Sequence, residues 1–114
     1  MGRIYDPRDA AWRTIERQGA AAVEGHELLP LEEGGRTRLS ITRIAPGGTF
    51  GPHIDDYAHV FCVLEGRGEV MVGKQRQQVE PGMVITTDIR EPHGLWAADD
   101  APLVLVAANV YPES

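Results

Sequence analysis

Histidine and aspartate side chains that could bind a metal are concentrated in the second half of this 114-residue sequence. His53, Asp55 and His59 follow each other at offsets of two and four residues, and His93 lies in a later segment. Imidazole nitrogens and carboxylate oxygens are ligands that Fe, Mn, Ni, Cu and Zn accept in proteins. A common metal site would require a chain path that brings these side chains to a single ion.

The spacing excludes one straight strand as the source of both His53 and His59. All the offsets are even, so on a single strand the side chains would share a face. A strand rises about 3.3 Å per residue, which would separate His53 from His59 by roughly 20 Å. Two metal–imidazole bonds of about 2.0–2.1 Å cannot span that distance. We therefore predict a chain reversal over 56–58, with His59 beginning the next strand, folded back beside the first, and His93 arriving from a third strand. A closed antiparallel barrel makes such a convergence possible.

The spacing of Gly and Pro along the sequence predicts an all-β fold. The chain contains 13 Gly and 8 Pro, and they separate short runs of Val, Ile, Leu, Thr and Phe. This pattern is typical of a sandwich or barrel. The predicted strands are 59–64, 69–72, 75–79, 84–87, 93–97 and 103–110, preceded by a hairpin of 24–31 and 37–45. The N-terminal segment permits either a helix over 7–18 or an irregular strand near 12–15.

Two segments carry a resemblance to a known family. Residues 47–66 read GGTFGPHIDDYAHVFCVLEG, and residues 82–93 read GMVITTDIREPH. Over about 37–110 the chain resembles the cupins, whose first motif is a Gly, five residues, His-x-His, three or four residues, Glu, six residues and Gly. The positions of that motif are filled in register by Gly47, His53, Asp55, His59 and Gly66.

The resemblance also has departures. Asp55 stands where the family has its second His, and His59 stands where it has Glu. The second motif is matched at its ends by Gly82 and His93. Its Pro, Gly and Asn are replaced by Asp88, Arg90 and Ala97.

The resemblance implies a fold and a metal centre. The fold would be a small single-domain cupin, an all-β jelly roll or double-stranded β-helix of about 8–11 short antiparallel strands. Residues 1–36 would pack on a barrel formed by 37–114. One divalent ion (Fe, Mn, Ni, Zn or Cu) would be held by His53, His59 and His93, with Asp55 as a possible oxygen ligand.

Strand alternation predicts which neighbouring side chains surround the site. Phe61 would point inward with His59, whereas Cys62 would point outward. Tyr57, in the predicted reversal, would line the pocket mouth. A guanidinium pairs with a carboxylate through two bonds, so Arg43 and Arg90 are candidates for holding a substrate carboxylate. Asp55, where it does not bind the metal, is the candidate general base.

Two functional classes follow from these expectations. The first is a metal-dependent enzyme acting on a small organic molecule, either a dioxygenase or an enzyme with isomerase, lyase or cyclase chemistry. The alternative is a non-catalytic module that binds or senses a sugar or another effector. Turnover of a substrate distinguishes the first class, and ligand-dependent stabilisation without turnover distinguishes the second.

Composition and charge limit the kinds of partner that the protein is expected to bind. A formal net charge of −6 without a basic run argues against binding to nucleic acid or to an anionic membrane. The longest apolar stretch, 103–108, is far shorter than a membrane span. A single cysteine, Cys62, excludes an internal disulfide and is consistent with a cytoplasmic protein. The apolar runs 60–64 and 103–108 offer both strand faces for burial, which leads us to expect a homodimer.

Overall fold

Strands make up most of the chain. The computed structural model describes residues 2–113, so Met1 and Ser114, which end the predicted ranges 1–36 and 37–114, lie outside the described residues. The described part of the chain contains two short helical segments, a 3-10 turn at Pro7–Asp9 and α1 at Leu31–Gly34. The strands within the described residues are β1 Arg13–Thr14, β2 Ala20–Leu29, β3 Thr37–His53, β4 Ala58–Gly66, β5 Gly68–Val72, β6 Gln75–Val79, β7 Val84–Thr87, β8 His93–Ala97 and β9 Leu103–Val110.

These strands form one antiparallel sheet that curls on itself. Its order is β6-β5-β8-β3-β9-β4-β7, with β2 paired to β3 and β1 paired to β2. The nine strands of the described chain confirm the predicted all-β jelly roll. The predicted hairpin is also present. Strands β2 and β3 pair from Leu29 opposite Leu39 to Ala20 opposite Phe50, and α1 lies in the connection between them.

One long strand, β3, runs through both halves of the sheet. Its first part, up to Ile44, pairs with β9, and its last part, from Thr49, pairs with β8. Between them the chain bends at Gly47, where φ is +75°, and at Gly48. A Cβ on Gly48 would lie 2.9 Å from the carbonyl oxygens of Ala21 and Ala45. The expectation of a strand ending near residue 45 was therefore wrong, because the glycines bend the strand without ending it.

The interior of the curled sheet is the main apolar core. Ile44, Leu103 and Leu105 have no exposed surface, and Phe61 and Val63 are 5% and 1% exposed. Burial of each such side chain contributes about 1.5–3 kcal/mol relative to exposure. As predicted from alternation, Phe61 points inward; Val63 does so too, while Leu64 lies on the outer face and is 41% exposed.

A second, smaller cluster lies on the outer face of the sheet, beneath the N-terminal segment. Trp12 packs there against Leu28, Ile41 and Val104. Of the two alternatives for the N-terminal segment, the short strand near 12–15 is present as β1, and helical structure within 7–18 is limited to the turn at Pro7–Asp9. Asp6 caps Pro7–Asp9 as the sequence indicated, but the chain is then extended, and β1 pairs with β2. Burial of Trp12 and strand pairing outweigh the weak local preference for a helix.

Candidate metal centre

The predicted chain reversal is present and places the side chains at one end of the barrel. His53 is the last residue of β3, Asp55 lies in the connection, and His59 is the second residue of β4. The expectation that these two strands lie side by side was wrong, because β9 separates β3 from β4. The direct neighbour of His53 is instead His93 on β8, opposite it in the strand register.

All three histidines converge on one carboxylate oxygen. Oδ2 of Asp55 lies 2.9 Å from Nε2 of His59, 3.3 Å from Nε2 of His53 and 3.4 Å from Nε2 of His93. The ring centroids of His53 and His93 are 4.2 Å apart, and those of His59 and His93 are 4.6 Å apart. The four side chains are nearly closed to solvent, at 5% exposure for Asp55 and 2%, 7% and 13% for His93, His59 and His53.

Hydrogen bonds on the far side of each ring orient the three imidazoles. Nδ1 of His53 lies 2.9 Å from the carbonyl oxygen of Gly51, and Nδ1 of His93 lies 2.9 Å from that of Glu91. A carbonyl only accepts, so Nδ1 carries the proton in both rings, and in the neutral ring Nε2 is a bare lone pair. Nδ1 of His59 is held in the same way, 3.0 Å from Oδ1 of Asn109.

Electrostatics favour neutral imidazoles beside an ionised carboxylate. Burial lowers the pKa of His53 and of His59, since desolvation disfavours the charged ring. For Asp55 burial acts in the opposite direction, but the hydrogen bond from Arg17 and the positive charge of its guanidinium outweigh it, so the pKa of this carboxyl is lowered. Near neutral pH the cluster therefore combines lone pairs with a negative charge, which is the state that binds cations.

This donor set fits a divalent cation. Lone pairs of neutral rings that face a carboxylate oxygen repel it, and a cation among them would convert that repulsion into attraction. Within residues 2–113, Nε2 of His93 is one of two buried side-chain polar atoms without a hydrogen-bond partner. His53, Asp55 and His93 each offer one ligand atom, with all three atoms within 4.8 Å of one another, and the predicted ligand His59 is not part of this group. A possible metal site is thus present on structural grounds.

The cluster forms one wall of a small cavity of about 150 Å³. Phe50, Phe61 and Leu95 supply apolar walls, and the ring of Phe61 stacks on that of His59 at 5.0 Å. Through Ser40, Thr42 and Asn109 the cavity adjoins a wider, more open cleft of about 510 Å³. Apolar walls with a few convergent polar groups are typical of small-molecule sites.

The structure brings some of the predicted pocket residues to the cavity and places others elsewhere. Tyr57 and Phe61 line it. Arg43 does not, since it lies on the outer face with its Nη2 2.7 Å from Oε1 of Glu24 and its guanidinium over Trp12. The side chain of Arg90 bonds to Asp56 at the surface, while its backbone N–H donates to the carbonyl oxygen of Asp55 at 2.9 Å. Arg90 thus holds the loop that carries Asp55.

Two residues of the site were not predicted from the sequence. Asn109 had a signal, because it falls on the inward-facing side of β9 together with Leu105 and Ala107 and is the polar member of that set. Arg17 had none, because it follows the short strand β1 in a segment whose conformation the sequence left open. Its Nη2 donates to Oδ1 of Asp55 at 3.0 Å.

A curled antiparallel sheet with histidines and a carboxylate directed into one end defines a class of small β-barrel with a possible metal site. The sequence matches the family model described as Cupin domain over residues 40–109, which is more than half of the chain. The chain therefore belongs to the cupin family. A comparison with curated proteins finds no match.

Solved structures share the fold. A polyketide cyclase, RemF from Streptomyces resistomycificus, is 22% identical, with a TM-score of 0.85 over 98% of this chain and 81% of that one. A predicted oxalate decarboxylase from Thermotoga maritima is 20% identical, with a TM-score of 0.86 over 96% of this chain and 100% of that one. KdgF from Halomonas sp. is 15% identical, with a TM-score of 0.77 over 99% and 97%. At these identities the likeness concerns the fold.

No helix among residues 2–113 combines the length and apolar character that crossing a bilayer would need.

Proposed function

We propose that this protein is a metal-dependent enzyme that acts on a small organic molecule in the cavity beside His53, His59 and His93. The observation that carries the proposal is the close grouping of His53, Asp55 and His93, with Nε2 of His59 2.9 Å from the same Oδ2 of Asp55. The rings of His53 and His93 are fixed by backbone carbonyls in the tautomer that leaves Nε2 free. Three imidazoles with a carboxylate or water form a competent set for Fe, Mn, Ni, Zn or Cu.

The bound ion would supply Lewis-acid polarisation of a substrate oxygen or, as Fe(II), a site for dioxygen. The protein's own part is to hold and shield the reacting molecule. Phe50, Phe61 and Leu95 exclude water from the cavity and so strengthen electrostatic interactions inside it. Three protein nitrogens leave further coordination positions open, as in catalytic rather than structural sites.

Asp55 has two roles open to it. Its Oδ2 lies within 3.4 Å of every histidine Nε2, which suits a fourth metal ligand. Asp55 also lines the cavity and is ionised near neutral pH, so its carboxylate can accept a proton from a substrate held beside it. Isomerase, lyase or cyclase chemistry would use the second role, and a dioxygenase would use the first.

Metal content tests this proposal most directly. The protein is stripped with a chelator, reloaded in turn with Mn²⁺, Fe²⁺, Ni²⁺, Cu²⁺ and Zn²⁺, and analysed by inductively coupled plasma mass spectrometry. We expect about one equivalent of at least one ion, because three His ligands are typical of catalytic sites. His53→Gln and His93→Gln should lose most of it. The matched control is His26→Gln, since His26 is a half-buried strand residue outside the cluster.

Less than about a tenth of an equivalent after reloading, at a site built for one ion, would contradict the proposal. So would equal metal content in His26→Gln and His53→Gln. A loaded protein that is stabilised by small ligands but turns none over would instead favour the alternative, a sugar- or effector-sensing module.

We further propose that the chain works as a homodimer packed through the outer face of its sheet. Val60, Leu64, Val84 and Val110 on this side are between 36% and 61% exposed. Contiguous exposed apolar side chains of this kind mark association surfaces. The cytoplasmic location expected from the sequence remains a prediction.

A further inference from the structure

We propose that the cavity selects a small carboxylate and that Arg17 is the residue that binds it. This inference rests on the proposed function, because it names the substrate class of the same site. Arg17 belongs to none of the strands that carry the histidines, and it lies in the connection from β1 to β2.

The segment that carries Arg17 is fixed to the barrel. The backbone N–H of Ala20 donates to the carbonyl oxygen of Arg17 at 3.0 Å, which closes a tight turn. Gly51 on β3 then donates to the carbonyl oxygen of Gly19 at 2.8 Å, two residues before His53. The turn is thus held beside the metal cluster, and the position of the guanidinium is set by backbone hydrogen bonds.

Arg17 stands at the boundary between solvent and cavity. Its side chain is 44% exposed, whereas that of Asp55, to which it donates, is 5% exposed. The guanidinium carbon lies 5.5 Å from the centre of the Phe50 ring, one of the apolar walls. Among the described residues that line the cavity, Arg17 is the only Arg or Lys.

These positions define the chemistry of a ligand. A guanidinium has five N–H donors in a planar fork, so one bond to Oδ1 of Asp55 leaves donors for a second carboxylate. An anion at that fork would lie beside the metal cluster, because Oδ2 of the same Asp55 is the point on which the histidines converge. A neutral molecule of the same size would gain only the apolar contacts.

A cavity of about 150 Å³ limits that ligand to a small acid, with any larger part extending into the adjoining cleft. Glycolate and its neutral analogue glycolamide are therefore suitable probes, since they differ only in the group that Arg17 would recognise. Their binding is measured by isothermal titration calorimetry, on Zn²⁺-loaded protein and on chelator-stripped protein.

We expect wild-type protein to bind glycolate at least about tenfold more tightly than glycolamide, given the strength of a charge-assisted bidentate pair. In the chelator-stripped protein, where no metal can bind the carboxylate, Arg17→Gln should abolish most of that preference, and Arg17→Lys should retain part of it. Arg67→Gln is the matched control, because it removes a surface arginine whose partner is Asp100, and it should bind like wild type.

The pair with Asp55 requires one more comparison. If Arg17 only neutralised Asp55, Asp55→Asn combined with Arg17→Gln would restore the preference for glycolate. If Arg17 binds the anion itself, Asp55→Asn alone keeps the preference and the double variant lacks it. Restoration in the double variant would overturn the inference, as would an unchanged preference in Arg17→Gln.

The outcomes separate this inference from the proposed function. A protein that loads no zinc but shows an Arg17-dependent preference refutes the metal site and keeps the anion site. A protein that loads zinc and binds glycolate and glycolamide alike keeps the metal site and refutes the role of Arg17.

Discussion

At the scale of single residues, the groups behind the histidines matter as much as the histidines. Each imidazole is fixed through Nδ1 by an oxygen: a backbone carbonyl for His53 and His93, and the amide oxygen of Asn109 for His59. Such partners set the tautomer and the direction of the ligand nitrogen. Of the three, only the partner of His59 is a side chain and can be changed by mutation.

Asn109→Ala is therefore expected to weaken metal binding without removing a ligand. Loss of the acceptor frees the His59 ring to rotate or to place its proton on Nε2, and such changes typically cost about 10–100-fold in affinity. Asn109→Asp keeps an oxygen at the same position and should retain most of the affinity. Competition with a chromophoric chelator measures both variants, and equal weakening of the two would show that the amide oxygen is not the cause.

The sequence predicted some residues of the candidate site and not others. The spacing of His53, Asp55 and His59, together with the later His93, was enough to predict a reversal and a common point, because bond lengths leave few chain paths. Arg17 could not be predicted as a site residue, since its position depends on how residues 15–19 fold against β3. That path is decided by tertiary contacts and not by local preference.

At the scale of elements, the bend in β3 is the feature that was not predicted from the sequence. Pro46, Gly47 and Gly48 have the composition of a turn between strands, yet β3 continues through them and changes its partner from β9 to β8. The chain can do this because backbone from β2 and β3 closes in around Gly48. The strands without such bends, β6 to β9, were predicted with the bounds that the structure has.

Gly48→Ala should accordingly destabilise the fold. A Cβ there would lie 2.9 Å from two backbone oxygens, and backbone cannot yield as a side-chain end can. We expect the free energy of unfolding in urea to fall by about 1–3 kcal/mol, as is typical of overpacking.

Gly51→Ala provides the control on the same strand. Its nearest contact would be 3.6 Å, from the carbonyl oxygen of Gly19, and surface changes of this kind usually stay within about 0.5 kcal/mol. If Gly48→Ala proved as stable as Gly51→Ala, close backbone packing at the bend would not be the reason that position 48 requires a glycine.

At the scale of the whole molecule, the proposed homodimer can be tested through the outer face of the sheet. We expect sedimentation equilibrium at micromolar concentration to show a dimer. Val60→Asp, which puts a charge in the middle of the exposed apolar strip, should shift it toward monomer because a desolvated, unpaired carboxylate is costly. Gln77→Asp on β6, outside that strip, should leave the dimer intact. A wild-type monomer under these conditions would remove the homodimer proposal.

The position of the histidines in the strand order has a further consequence for the retention of an ion. His53 and His93 lie on the adjacent strands β3 and β8, whereas His59 is carried by β4, on the other side of β9. An ion bonded to all three would join parts of the barrel wall that share no direct ladder of backbone hydrogen bonds. Its escape would then require this end of the barrel to spread, so the rate at which a labelled ion exchanges should follow the opening of the barrel rather than the strength of any one bond.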